Sequence, residues 1–222
     1  MQSNRKFVFK NGSDNACIKY LEVIIPEVNI PHHEMFTWPS APFLAQYLFN
    51  NQSMLENKTV LELGCGTALV GIVAAKFCSH VFLSDNGLYE SSFLCCRKSC
   101  LYNNVANVTV VPITWGRFSH ELFKLASVDI ILGSDSFYNK NDFEDILYTV
   151  SYFLNKNPNA VFWTSYQLRS CDYSIEFLLS KWNLYGRLLN VNDLNENSDY
   201  MGGLSINHEL YVYEIRAKCF SR

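Results

Sequence analysis

From Lys58 onward, short and almost continuously apolar runs alternate with longer segments of helical periodicity, and few folds accept that order. The strand candidates are residues 59–63, 80–84, 108–112, 128–132 and 160–165. Runs apolar on both faces belong inside a sheet covered on both sides. Helices are expected between them at 68–77, 89–103, 141–154 and 173–181. Strand, helix, strand repeated in this way predicts an α/β fold, a mostly parallel sheet with helices on both faces. The alternation breaks at the end. Residues 182–191 and 209–217 both read as strands, yet only a polar segment joins them, so the last pair is expected as an antiparallel hairpin.

Residues 1–35 hold alternating apolar stretches at 6–10 and 17–25, with Pro26 and Pro31 beyond them. They predict a small strand pair forming an N-terminal extension, followed by a helix at about 41–50 and a main domain over 36–222. A chain of 222 residues with 49% apolar content has enough material for one large core. The formal charge of −3, from 18 basic and 21 acidic residues without a basic stripe, leaves no electrostatic footprint for direct nucleic-acid binding. The N-terminus turns polar after FVFK, and the longest apolar stretch, near Ala68 to Ala75, is too short to span a bilayer. An intracellular chain with no membrane partner is expected, and its 8 cysteines are read as reduced thiols. Cys96 and Cys100 lie one helical turn apart and His32, His33 and Glu34 are adjacent, but neither group has a recurring metal-ligand spacing; no metal is expected.

VLELGCGTALVGI (60–72) joins the first buried strand to its helix. A dinucleotide fingerprint needs a third glycine where Leu69 stands, and a phosphate loop needs a lysine that is absent. The remaining match is E/D-x-G-x-G, the turn by which S-adenosylmethionine-dependent methyltransferases hold their cofactor. That ligand has no phosphate. It needs close backbone approach, offered by Gly64, Cys65 and Gly66, and carboxylates for its hydroxyl and ammonium groups. Asp85, at the end of the next strand candidate, suits the ribose. Glu62 is expected below the turn, either ordering it or meeting the ammonium through water. The bland alternative is a tight turn with Asp85 as a helix cap.

Three further stretches occur in order: FTWPSAPFLAQYL (36–48), TWG (114–116) and SDSFY (134–138). With the glycine turn they resemble the family 16 protein methyltransferases of the seven-stranded class, over roughly Trp38 to Trp182. The resemblance implies a Rossmann-like class I methyltransferase domain and S-adenosylmethionine as cofactor, with S-adenosylhomocysteine as product. It further implies Trp38 and Trp115 beside that cofactor, and Ser134 at its edge. Asp135 and Tyr138 become the catalytic pair of the D-x-x-[YF] signature. It points to a protein substrate, an arginine of a histone H3 tail, and to nucleus and cytoplasm. Each residue also has a purely structural reading: Trp38 and Trp115 as packing aromatics, Asp135 as a cap.

Tyr166 and Arg169 follow the fifth strand candidate at the carboxyl edge where ligands bind, and are the substrate-side candidates; Arg169 has Asp172 as an alternative partner. Asp142, Glu144 and Asp145, with Asp193, Glu196, Asp199 and Glu209, are expected to edge the cleft and attract a basic tail. The chemistry leaves the nucleophile open. Lysine has a free pKa of about 10.4, whereas arginine stays protonated and usually asks for more than one carboxylate. Protein lysine is therefore kept beside histone arginine, and a catalytically inactive cofactor-binding scaffold beside both.

Overall fold

The computed structural model describes residues 2–28, 35–87, 90–167, 174–191, 194, 198–204 and 209–218. The chain opens as an antiparallel pair, β1 (Gln2–Lys10) and β2 (Tyr20–Val28), and then forms α1 (Ser40–Asn50). Alternation follows: β3 (Thr59–Leu63), α2 (Leu69–Ala75), β4 (His80–Asp85), α3 (Glu90–Tyr102) and β5 (Val108–Pro112). After α4 (His120–Lys124) come β6 (Ile130–Ser134), α5 (Phe143–Lys156), β7 (Val161–Gln167), α6 (Glu176–Lys181), β8 (Leu184–Leu188) and β9 (Leu210–Ala217).

Seven strands form one sheet in the order β5-β4-β3-β6-β7-β9-β8, parallel except for β9, which is antiparallel to both its neighbours. The expected final hairpin is present, but β9 folds back between β7 and β8 and does not extend the edge. Alternation along the strands divides the core. Val60, Leu132 and Trp163 face a layer with α1, α2 and α3, while Leu61, Ile131 and Phe162 face α4, α5 and α6. On α5, Phe143, Ile146, Leu147, Val150, Phe153 and Leu154 are buried at the i, i+3, i+4, i+7 spacing of a helix covering a sheet. Among the described residues, no helix is long and apolar enough to cross a membrane.

The N-terminal strands differ from expectation in register. β2 begins at Tyr20 because residues before it are held elsewhere: the Gln52 amide group accepts from Ile18 N at 2.9 Å and donates to Ile18 O at 3.0 Å. It runs through Pro26 to Val28, which a two-stranded sheet tolerates because each strand has an open edge. Phe7, Phe9, Val23 and Ile25 are fully buried in the same core as α1 and α2. Asn103, just after α3, both donates to Ile24 O (2.7 Å) and accepts from Ile24 N (2.8 Å), docking β2 as a strand partner would. The α4 turn was not foreseen; it is five residues long, capped by Ser119 and buries only Leu122, too little for a periodic pattern.

Candidate active site

The carboxyl ends of β3, β4, β6 and β7 bring most of the candidate residues to one edge of the sheet. At the glycine turn, Gly64 and Gly66 have φ of +67° and +47°, conformations glycine adopts without steric cost. A Cβ on Gly64 would stand 2.9 Å from Cζ2 of Trp115, so that tryptophan lies directly over the turn. This close approach supports the cradle reading of Trp115, although part of its ring also packs on the α5 side of the core.

The turn's amides are used within the protein. Cys65 N donates to Ser84 O at 2.8 Å, and Gly66 N donates to Asp85 Oδ2 at 2.9 Å. Asp85 Oδ1 accepts from Asn86 N at 2.7 Å. Asp85 thus stands at the end of β4 with its carboxylate against the glycine turn. The Cys65 side chain points into the core, where it meets Cys96. Its thiol is therefore turned away from the turn, which leaves its backbone as the part that faces the cradle. Cys17, Cys65, Cys78, Cys95, Cys96 and Cys100 are all free thiols. Cys171 and Cys219 lie outside the described residues, as do His32, His33 and Glu34; among the described residues no cluster of three or more His, Cys, Asp or Glu is arranged to hold a metal.

Glu62 is 1% exposed and its Oε2 accepts from Gly71 N at 2.9 Å, tying β3 to the first turn of α2 beneath the glycine turn. Burial pushes its carboxyl up to about 8, against the Gly71 N–H that favours the charged form. The folded state then binds the Glu62 proton more tightly than the unfolded chain does. The contribution of Glu62 to stability is expected to be fullest below the ordinary carboxyl range and to fall as pH rises from 4.5 to about 8, by up to about 1.4 kcal/mol per pH unit. Thermal melts across that window should slope downward for the wild type and flatten for Glu62→Gln; an unchanged slope in the variant would assign the dependence elsewhere.

Trp38 is half-buried, edge-on to Phe36 at 5.4 Å, and its carbonyl accepts from Ala41 N as α1 begins. Ser165 Oγ donates to Ser40 O at 2.7 Å, fastening that start to the end of β7. Ser134 is in register with Ser165 on the neighbouring strand. Asp135 follows it at φ +53°, rare for a residue with a side chain, and its N–H donates to Ser165 O at 2.8 Å. Asp135 is buried at 8% exposure, whereas Tyr138, three residues on, is 52% exposed. Tyr166, next after Ser165, stacks on Tyr213 (5.6 Å, 28°) and lies 6.0 Å from Tyr211. Burial holds its hydroxyl well above the usual tyrosine range. Arg169 and Asp172 lie outside the described residues.

Four of the acidic residues expected at the cleft have partners within the protein. Glu144 pairs with Lys181, Asp199 with Lys10, Asp142 accepts from Asn139 at 2.9 Å, and Glu209 accepts from the Tyr211 hydroxyl. Asp145 lies against Gly116. Asp193 and Glu196 lie outside the described residues. Two features escaped sequence reasoning: the hydroxyl pair Thr37–Thr67 at 2.9 Å, and Ser136 Oγ, buried beside Asp135 with no hydrogen-bond partner. Neither carries a local sequence signal.

The sequence matches the lysine methyltransferase family model over residues 27–179. It is 46% identical over 179 residues to the histone-arginine methyltransferase METTL23 of Xenopus laevis, covering 81% of this chain and 75% of that protein. To the protein N-lysine methyltransferase METTL21A of Xenopus tropicalis it is 35% identical over 113 residues, covering 50% and 51%. Among solved structures, a SAM-dependent methyltransferase from Aquifex aeolicus superposes with a TM-score of 0.54 at 15% identity, over 80% of this chain and 93% of that one; it shares the fold.

Proposed function

The chain belongs to the lysine methyltransferase family, and on that premise we propose that it transfers the methyl group of S-adenosylmethionine to an arginine in a basic histone tail. The observation that carries the reading is the convergence at one sheet edge of a glycine cradle under Trp115, the Asp85 carboxylate and a strained Asp135. The preference for arginine over lysine rests on the relatives: identity to a histone-arginine enzyme is higher and extends over more of the chain than identity to a lysine enzyme.

The residues fit such a cofactor. Gly64 leaves room beneath Trp115 that any side chain would fill, Asp85 offers carboxylate oxygens beside the turn, and Trp38 and Ser134 border the same edge. The cofactor, when bound, supplies an electrophilic methyl on a sulfonium. Displacement at that carbon needs no acid on the leaving group, so the protein's task is alignment and exclusion of water. Asp135 accepts N–H bonds from the guanidinium, orienting one nitrogen, and takes up the proton shed as that nitrogen is methylated. Tyr138 offers a ring face and a hydroxyl at the entrance, and Tyr166 a second aromatic surface next to the Asp135 anchor. On this reading the protein works in nucleus and cytoplasm, where a histone substrate is met.

Loss of one charge-assisted contact is worth about 1.5–3 kcal/mol. Asp85→Ala is therefore expected to weaken S-adenosylmethionine binding about 10- to 100-fold by calorimetry, while turnover at saturating cofactor changes little. The substrate is tested by incubating histones and cell extract with the protein and labelled cofactor, then locating the label by mass spectrometry. Label on histone arginine is expected. Label confined to lysine would replace the substrate assignment, and cofactor binding with no transfer to any protein would favour a scaffold.

A further inference from the structure

We propose that the N-terminal strand pair is part of the cofactor apparatus, with Glu27 and Thr37 as positioning residues that hold the glycine turn in shape. The inference rests on the methyl-donor reading of that turn. A continuous polar chain runs from β1 to it. Arg5 Nε donates to Glu27 Oε2 at 2.8 Å, Thr37 N donates to Glu27 Oε1 at 3.2 Å, and the Thr37 hydroxyl bonds the Thr67 hydroxyl at 2.9 Å. Glu27, Thr37 and Thr67 are 1%, 1% and 4% exposed, so water cannot substitute for a missing partner. The surface end is fixed as well: Arg5 Nη1 donates to Gly202 O at 3.0 Å, and its guanidinium lies 5.8 Å over the Phe36 ring.

The turn needs such a brace. Thr67 sits between Gly66, at φ +47°, and Ala68, an alanine held left-handed at φ +66° whose N–H donates to Cys65 O at 2.6 Å. A residue with a Cβ stays in that region only where its surroundings over-determine it. Glu62 braces the turn from beneath through Gly71, and Thr37 braces it from the side. Thr37 also precedes Trp38, so one restraint sets both the turn and the segment beside it. The family match begins at Glu27, so Arg5 lies outside it.

The test uses the full chain, with binding of S-adenosylmethionine by calorimetry, the KM for cofactor, kcat and the melting temperature read together. Thr37→Val, which keeps the shape and removes the hydroxyl, is expected to raise the dissociation constant and KM for the cofactor about 5- to 30-fold with kcat within about twofold, and Thr37→Ser to restore them. Thr67→Val should reproduce the effect, and Arg5→Met should give a smaller one in the same direction although it touches no ligand-facing residue. A fall in melting temperature alone, with cofactor KM unchanged in Thr37→Val and Thr67→Val, would overturn the proposal while the methyltransferase reading stood. Failure of the wild-type chain to bind the cofactor would overturn both.

Discussion

Asp135→Asn is expected to lower kcat by about 100-fold or more while leaving the dissociation constant for S-adenosylmethionine within about twofold. The expectation comes from where the residue stands. Its N–H is spent on Ser165 O, its backbone is left-handed at φ +53°, and it closes β6 at the rim where a substrate nitrogen would enter. Left-handed backbone costs a non-glycine residue about 1–2 kcal/mol. Asp135→Gly removes that cost together with the carboxylate, so it is expected to raise the melting temperature by a few degrees and still abolish transfer. Single-turnover kinetics at saturating cofactor, beside thermal melts, check both halves. Near-normal turnover in either variant would remove Asp135 from the reaction.

Gly71→Ala is expected to be strongly destabilising although it adds a single carbon. An alanine in the middle of a helix normally gains about 1 kcal/mol over glycine. Here the added carbon would lie 2.5 Å from Glu62 Oε2 and closer still to Leu83 Cδ2. Both side chains are buried on central strands, so either they give way within the core or α2 shifts, and either movement disturbs the bond from Gly71 N to Glu62. Overpacking of this kind costs about 1–3 kcal/mol or more and outweighs the helical gain. The net effect should be a melting temperature lower by about 4–8 °C and at least a tenfold loss of cofactor affinity, because the strained turn sits on that helix. Leu83→Ala in the same chain should recover part of the loss, making the two changes non-additive; a Gly71→Ala chain that melts and binds like the wild type would show that α2 yields freely.

These residues also show what the sequence could carry. Buried strands such as Thr59–Leu63 and Ile130–Ser134 announce themselves by continuous apolar character, and the order of β and α segments limits the topology. The place of β9 between β7 and β8 was not legible, because pairing between distant segments leaves no local trace. The glycine turn and Asp85 were legible as a motif. Gly71 was visible only as a glycine out of step with a nucleotide fingerprint; its reason is the space claimed by Leu83 and Glu62 on neighbouring strands. The partners of Glu144 and Asp199 were hidden for the same reason: Lys181 and Lys10 are remote in sequence. A left-handed aspartate at position 135 is likewise a tertiary fact, imposed by Ser165 across the sheet.

The inserted strand has a consequence for how the molecule is made. β7 finds its outer neighbour, and β8 its only one among the described strands, in residues 210–217. On a translating ribosome the first five sheet strands and α6 are finished well before that segment emerges. Until it does, the open edge of β7, a row of backbone N–H and C=O groups awaiting β9, is a template for any passing strand. Closing the sheet is therefore a late event, and the nascent chain's hazard is association with another copy through that edge. A chaperone that shields it during the interval would raise yield without touching the stability of the finished enzyme.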